Sequence, residues 1–275
     1  MEQRIKRSER VVAITRLLSE NPGKLFTLSE IGERFQCAKS TLSEDITLVR
    51  QVLSRYGMGR VETYNGAAGG VRFFSINSGD ADLAFVQLMC QRLAQPERIL
   101  PGGFLYNTDL FSRPDTVGRM GEIFARRFYA AEPDVVVTVE SMGVPIALMT
   151  ARALGKPLVT ARRGNRATEG STVTINYLSG SSQRMQTMSL SRRLLAEGQR
   201  ALLIDDFMKG GGTARALWDM MAEFNVTVVG TGVILATAEP VKKRVDDYVS
   251  LIQLERVDEA ARQILLHPAD WVPTI

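Results

Sequence analysis

Cysteine and histidine are nearly missing from this chain: its 275 residues include two cysteines, Cys37 and Cys90, and a single histidine, His267. That set is too small for a disulfide framework or a Cys/His zinc site. Catalysis resting on histidine would depend on His267, which sits beside Pro268 with nothing resembling a triad around it. A solvated surface histidine is the expectation there. Long hydrophobic runs are missing too, since no stretch approaches the ~18 consecutive apolar residues of a membrane span. The opening segment Met1-Glu2-Gln3-Arg4-Ile5-Lys6-Arg7 mixes charges and lacks the apolar run of a secretory signal. These absences predict a cytoplasmic protein with no metal centre of its own.

What is present is the composition of an ordinary globular protein, 45% apolar and 23% charged. The length suits two domains, expected at residues 1–76 and 77–275. The net charge of +4 is unevenly spread. Residues 1–76 hold twelve Lys and Arg against eight Asp and Glu, whereas the rest of the chain is balanced. An excess confined to one domain predicts a polyanion partner for that domain.

In the amino-terminal domain, Ser8 and Glu9 open a helical pattern with Val11, Val12, Ile14, Leu17 and Leu18 as its apolar face, stopped by Asn21-Pro22-Gly23. Thr27-Leu28-Ser29-Glu30 has the form of a capping box. It starts a second helix with Leu28, Ile31 and Phe35 inward. After Gln36-Cys37-Ala38 a third helix is expected from about Lys39 to Leu53, with Leu42, Ile46, Val49 and Leu53 inward. Its outer face carries Lys39, Ser40, Thr41, Ser43, Thr47 and Arg50, groups able to reach phosphates and base edges. Arg60 to Tyr64 and Gly70 to Ile76 then flank a Gly-rich tip, predicting a hairpin. The order helix, helix, helix, hairpin resembles a winged helix-turn-helix domain. The expected DNA contacts are Lys6, Arg7, Arg10, Lys39, Arg60 and Arg72 on phosphates, with Ser40, Thr41 and Ser43 near base edges. A three-helix oligomerisation module is the plainer alternative.

The second domain alternates strand-like and helix-like runs. Val135 to Val139 is expected as a buried parallel strand, followed by a turn at Glu140 to Pro145 and a helix through Ala153. Further strands are expected from Pro157, from Arg200 to Ile204 and from Val226 to Leu235, with a helix from Thr213 to Phe224. The pattern predicts an α/β domain, a parallel sheet flanked by helices. Residues 162–189 interrupt it with Gly, Ser, Thr, Asn and Arg, although 172–177 and 185–188 have hairpin character. So long a polar excursion is expected to cover a ligand site.

The most informative stretch is Leu202-Leu203-Ile204-Asp205-Asp206-Phe207-Met208-Lys209-Gly210-Gly211-Gly212-Thr213. A buried strand delivers two carboxylates to its carboxyl end, where open α/β sheets bind ligands. A glycine-rich turn lets the backbone approach an anion, and the following helix amino terminus adds partial positive charge. Carboxylates accept from ribose hydroxyls, and the loop suits a phosphate. No Gly-Lys-Ser/Thr ends the stretch, so it is not a Walker A loop.

These residues resemble the phosphoribosyl pyrophosphate (PRPP) signature of type I phosphoribosyltransferases. The resemblance extends to Ser141, Met142 and Gly143, which fall where that family has its pyrophosphate loop, and to Arg162 and Arg163, its basic pair. Tyr106 joins the expected effector-binding set. The whole chain resembles the purine operon repressor family of Gram-positive bacteria. Thr168 to Tyr177, Ser179 to Ser182, Gln186 to Leu190 and Ile204 to Lys209 carry that likeness. It covers the chain to about Leu254, with Gly210 where alanine is expected and a tail that matches little.

The resemblance implies a dimer that represses purine synthesis genes, with PRPP as inducer and guanosine tetra- or pentaphosphate as rival ligands of one site. Mg²⁺ is expected to arrive on the pyrophosphate of PRPP. The alternative is a working purine phosphoribosyltransferase with an added DNA-binding head. Against it, the hypoxanthine-guanine branch places a carboxylate near purine N7 where this chain has Lys209, which cannot act as that acid-base group without a large pKa shift.

Overall fold

The computed structural model describes residues 5–66, 69–75, 79–164, 170–178 and 185–272. The chain divides into two compact units: Met1–Ser78 with Arg152–Gly155, and Gly79–Ala151 with Lys156–Ile275.

The first unit contains α1 (Arg7–Glu20), β1 (Leu25–Thr27), α2 (Leu28–Phe35), α3 (Lys39–Arg55), β2 (Arg60–Tyr64) and β3 (Gly70–Phe74). Thr27 caps α2 as expected: its hydroxyl accepts from the Glu30 amide at 3.1 Å while the Glu30 carboxylate accepts from the Thr27 amide at 2.7 Å. Ile14, Leu18, Ile31, Leu42, Ile46, Val49, Val71 and Phe73 form the core. Two features differ from the sequence reading. β1 adds a third strand, antiparallel to β3, to give a sheet ordered β1-β3-β2. Val12 is 69% exposed, because neighbours on a helix lie about 100° apart and the Arg10–Ile14–Leu17 face is the buried one. Ala67 and Ala68 at the hairpin tip, and Ile76, lie outside the described residues.

In the second unit α4 (Gly79–Leu93), the short pair β4 (Ile99–Leu100) and β5 (Phe104–Leu105), α5 (Thr108–Phe111) and α6 (Pro114–Phe128) come first. Then follow β6 (Val135–Val139), α7 (Gly143–Leu154), β7 (Leu158–Ala161), β8 (Thr172–Leu178), β9 (Met185–Ser191), β10 (Arg200–Met208), α8 (Gly212–Glu223), β11 (Thr227–Thr237), β12 (Val249–Asp258) and β13 (Gln263–Pro268). Six strands form one sheet ordered β13-β12-β11-β10-β6-β7. All neighbours are parallel except the β12–β13 pair at the edge. Every residue of β6 is buried, as a strand covered on both faces requires. One face packs on α8 and the β8–β9 hairpin through Val137, Leu203, Met188, Leu217 and Met220. α6 packs against β11, with Phe124 fully buried.

Two boundaries move. β10 runs on to Met208, so the acid pair lies inside the strand rather than beyond it, with Asp205 in register with Val233. The tail beyond Leu254, unread in the sequence, completes β12 and returns as β13, where His267 meets Glu255 at 3.0 Å.

Candidate effector site and nucleic-acid interface

Strand β10 ends in a tight loop that turns directly into α8. Gly211 takes the left-handed conformation (φ 74°) at the helix amino terminus, which only glycine adopts without strain. The loop is held from outside. The Gly210 carbonyl accepts from the Arg244 amide at 3.0 Å, and the Lys209 carbonyl accepts from the Thr237 hydroxyl at 3.4 Å. Lys243 is buried beneath, its ammonium donating to the Thr237 carbonyl at 2.6 Å, and burial pushes its pKa down. With those carbonyls tied outward, the first-turn amides of α8, which have no intrahelical acceptor, are left to serve the cavity. That cavity is lined by Asp205, Phe207, Met208, Lys209, the three glycines and Thr213. The arrangement is an anion cradle.

Asp205 lines it. One carboxylate oxygen accepts from the Asp206 amide at 3.0 Å. Burial, reinforced by the Asp206 charge, holds the Asp205 carboxyl well above the usual carboxylate range. Burial raises Asp206 as well. Arg163 supplies the positive charge that acts on both acids. Acids kept partly desolvated are suited to accept from ligand hydroxyls rather than to stabilise a fold.

The structure thus gathers Asp205, Asp206, Lys209 to Thr213, Gly143 and Arg163. It does not gather all of the expected set. Arg162 turns to Glu140 at 3.5 Å and bridges to β9. Tyr106, 42% exposed, lies under the Arg98 guanidinium and does not line the cavity. Ser141 is exposed and Met142 half-buried in the turn before α7.

Sequence reading missed Tyr177. This buried side chain of β8 donates to Gln186 Oε1 at 2.8 Å, and its hydroxyl lies near enough to Thr213 and Arg163 for both to act on its pKa. The alternation Val173, Ile175, Tyr177 could have marked it as inward-facing. Residues 165–169 and 179–184 of the same excursion, including Thr168, Glu169 and Ser179 to Ser182, lie outside the described residues.

In the first unit Lys39, Ser40 and Ser43 are exposed along the start of α3, and Thr41 is half-buried. The Ser43 hydroxyl donates to the Lys39 carbonyl at 3.1 Å. Lys6 and Arg7 are exposed at the start of α1. Arg60 pairs with Glu62 at 2.5 Å, and Arg72 lies over the Tyr64 ring. Arg10 is different: it is buried, its guanidinium 2.6 Å from the fully buried Asp45. A cation that is itself buried against a buried partner is unavailable to a phosphate, so Arg10 leaves the expected contact set, whereas Arg7 touches the same acid at 3.1 Å but remains 61% exposed.

Fold and site together define a class, a winged-helix domain joined to a phosphoribosyltransferase-type domain. Residues 6–75 match the family "Bacterial purine repressor, N-terminal", and residues 115–265 match "Phosphoribosyl transferase domain". The purine biosynthesis transcriptional repressor PurR of Bacillus subtilis is 44% identical over 271 residues, covering 98% of this chain and 94% of that protein. A purine biosynthesis transcriptional activator PurR of Lactococcus lactis is 38% identical over 260 residues, 94% of this chain and 96% of that one. This chain belongs to the PurR family of DNA-binding purine biosynthesis regulators. The body shares its fold with adenine phosphoribosyltransferase from Rhodothermus marinus (TM-score 0.53, 21% identity, 62% of this chain and 99% of that chain).

Proposed function

We propose that this chain is a cytoplasmic repressor of purine biosynthesis and related genes, working as a homodimer on operator DNA. Residues 1–76 read the DNA and residues 77–275 bind PRPP, which acts as inducer. The observation that carries the ligand assignment is that Asp205, with Asp206 beside it on β10, lines one cavity with the Lys209–Thr213 loop. The carboxylates accept the ribose hydroxyls, the loop amides and Thr213 take the 5-phosphate, and Arg163 and the Ser141–Gly143 turn face the pyrophosphate with its Mg²⁺. Guanosine tetraphosphate, with paired phosphates on a ribose, competes for the same groups. Lys39, Lys6, Arg7, Arg60 and Arg72 take DNA phosphates, and Ser40, Thr41 and Ser43 approach base edges. An effector coupling of about 1–3 kcal/mol suffices for induction.

Lys209 gives the purine side of the site a cation instead of an acid, and supports a sensor over a transferase. Titrating the protein on a purine-gene promoter with and without PRPP tests the reading: PRPP is expected to release the DNA. Pyrophosphate release on adding purine bases would establish the transferase instead.

A further inference from the structure

Strand β6 reads Val135-Val136-Val137-Thr138-Val139, four valines and one threonine, every residue buried. Thr138 is fully buried and its hydroxyl has no hydrogen-bond partner. Leaving a buried hydroxyl unbonded is destabilising, a cost that valine, of the same shape, would avoid. The fold thus keeps a polar atom where the rest of the strand uses an apolar one.

The position of that atom explains why. Gly143 opens α7, and a Cβ added to it would stand 2.6 Å from Thr138 Oγ1 and 2.4 Å from Asp205 Oδ1. Both oxygens therefore close on one small space, which only a glycine leaves empty. The groups that face Asp205 are Asp206 beside it on β10, Arg163 after β7, and Tyr177 from β8. From β6, Thr138 brings a hydroxyl.

We infer that Thr138 is a positioning residue of the effector site, its hydroxyl donating across Gly143 to the Asp205 carboxylate when the ligand engages that acid. This rests on the assignment of Asp205 to the ribose. A donor on the face away from the ligand favours the charged carboxylate and fixes its rotamer, while the other oxygen lobes remain free for ribose hydroxyls. It offsets the burial and like charge that raise the Asp205 pKa. Ligand affinity should be retained above the pKa of Asp205 and fall as pH drops through it. Removing the donor shifts that fall to higher pH.

The test is calorimetric titration of the full chain with PRPP and Mg²⁺ across a pH series, for wild type, Thr138→Val and Thr138→Ser. The valine variant is expected to bind about tenfold more weakly, the worth of one hydrogen bond to a charged group, with its acid limb moved to higher pH. The serine variant, which keeps the hydroxyl, should stay within about twofold of wild type. Thr138→Ala serves the same comparison if the valine variant does not fold. Wild-type affinity and pH profile in the valine variant, or a serine variant as weak as valine, would overturn the role of Thr138 alone. A wild-type chain that binds no PRPP at any pH would overturn the ribose assignment beneath it.

Discussion

Three buried or partly buried acid sites in this molecule are built in two ways. Asp45 in the first unit is fully buried and held by Arg7 at 3.1 Å and Arg10 at 2.6 Å. Asp82 in the second is equally buried, clasped by Arg119 and Arg126. Asp205 and Asp206 stand side by side with like charge, their pKa values raised by burial. The difference separates structure from function. An acid surrounded by arginines already has its charge balanced and has less to offer a ligand. A pair whose pKa values burial raises, at a sheet's carboxyl end, is an unmet demand for hydroxyl donors.

The largest effect follows from breaking a satisfied pair. Arg10→Ala leaves the buried Asp45 charge with only the exposed Arg7 as partner and is expected to destabilise the first unit by about 3 kcal/mol, measured by urea unfolding. A change within about 0.5 kcal/mol would show that Arg10 is a surface cation after all, and return it to the DNA-contact list.

Asp205→Asn sharpens the contrast from the other side. PRPP affinity should drop by about 100-fold or more, equal to roughly 2.7 kcal/mol, while ligand-free DNA binding stays intact. The same variant should be more stable than wild type at neutral pH. A carboxyl whose folded pKa is raised binds more protons folded than unfolded, so its favourable contribution at low pH is lost as pH rises through the folded pKa. Melting curves at about pH 4 and pH 8 should therefore show the stabilisation only at the higher value. Equal shifts at both would mean the acid is not strained.

Smaller effects probe the edges of each region. Lys39→Ala should weaken binding to all DNA and reduce the salt slope by about one, and an unchanged slope removes it from the interface. Tyr177→Phe frees Thr213 and Arg163 from the hairpin, and a gain in PRPP affinity of about two- to threefold is expected. A loss would make the tyrosine a direct ligand of the effector.

Much of this was legible in the sequence because the periodicities are local. The valine run of β6, the Thr27–Glu30 capping box and the acid-glycine stretch each declare themselves within a dozen residues. What stayed hidden depends on partners far along the chain. The expectation that Arg10 faces phosphate failed because Asp45, thirty-five positions away, was not visible as its partner. Tyr106 lies under Arg98 for a similar reason, and Lys243 reaches the loop only through Thr237. The β12–β13 pair was unread because an edge strand pairs with one neighbour and its polar residues blur the alternation.

The most direct measurement is a PRPP titration of the protein–promoter complex, followed by fluorescence anisotropy of the DNA, for wild type beside Asp205→Asn. The account predicts that PRPP frees the DNA from wild type and leaves the variant bound at the same concentrations. Equal release from both, or none from wild type, would contradict it.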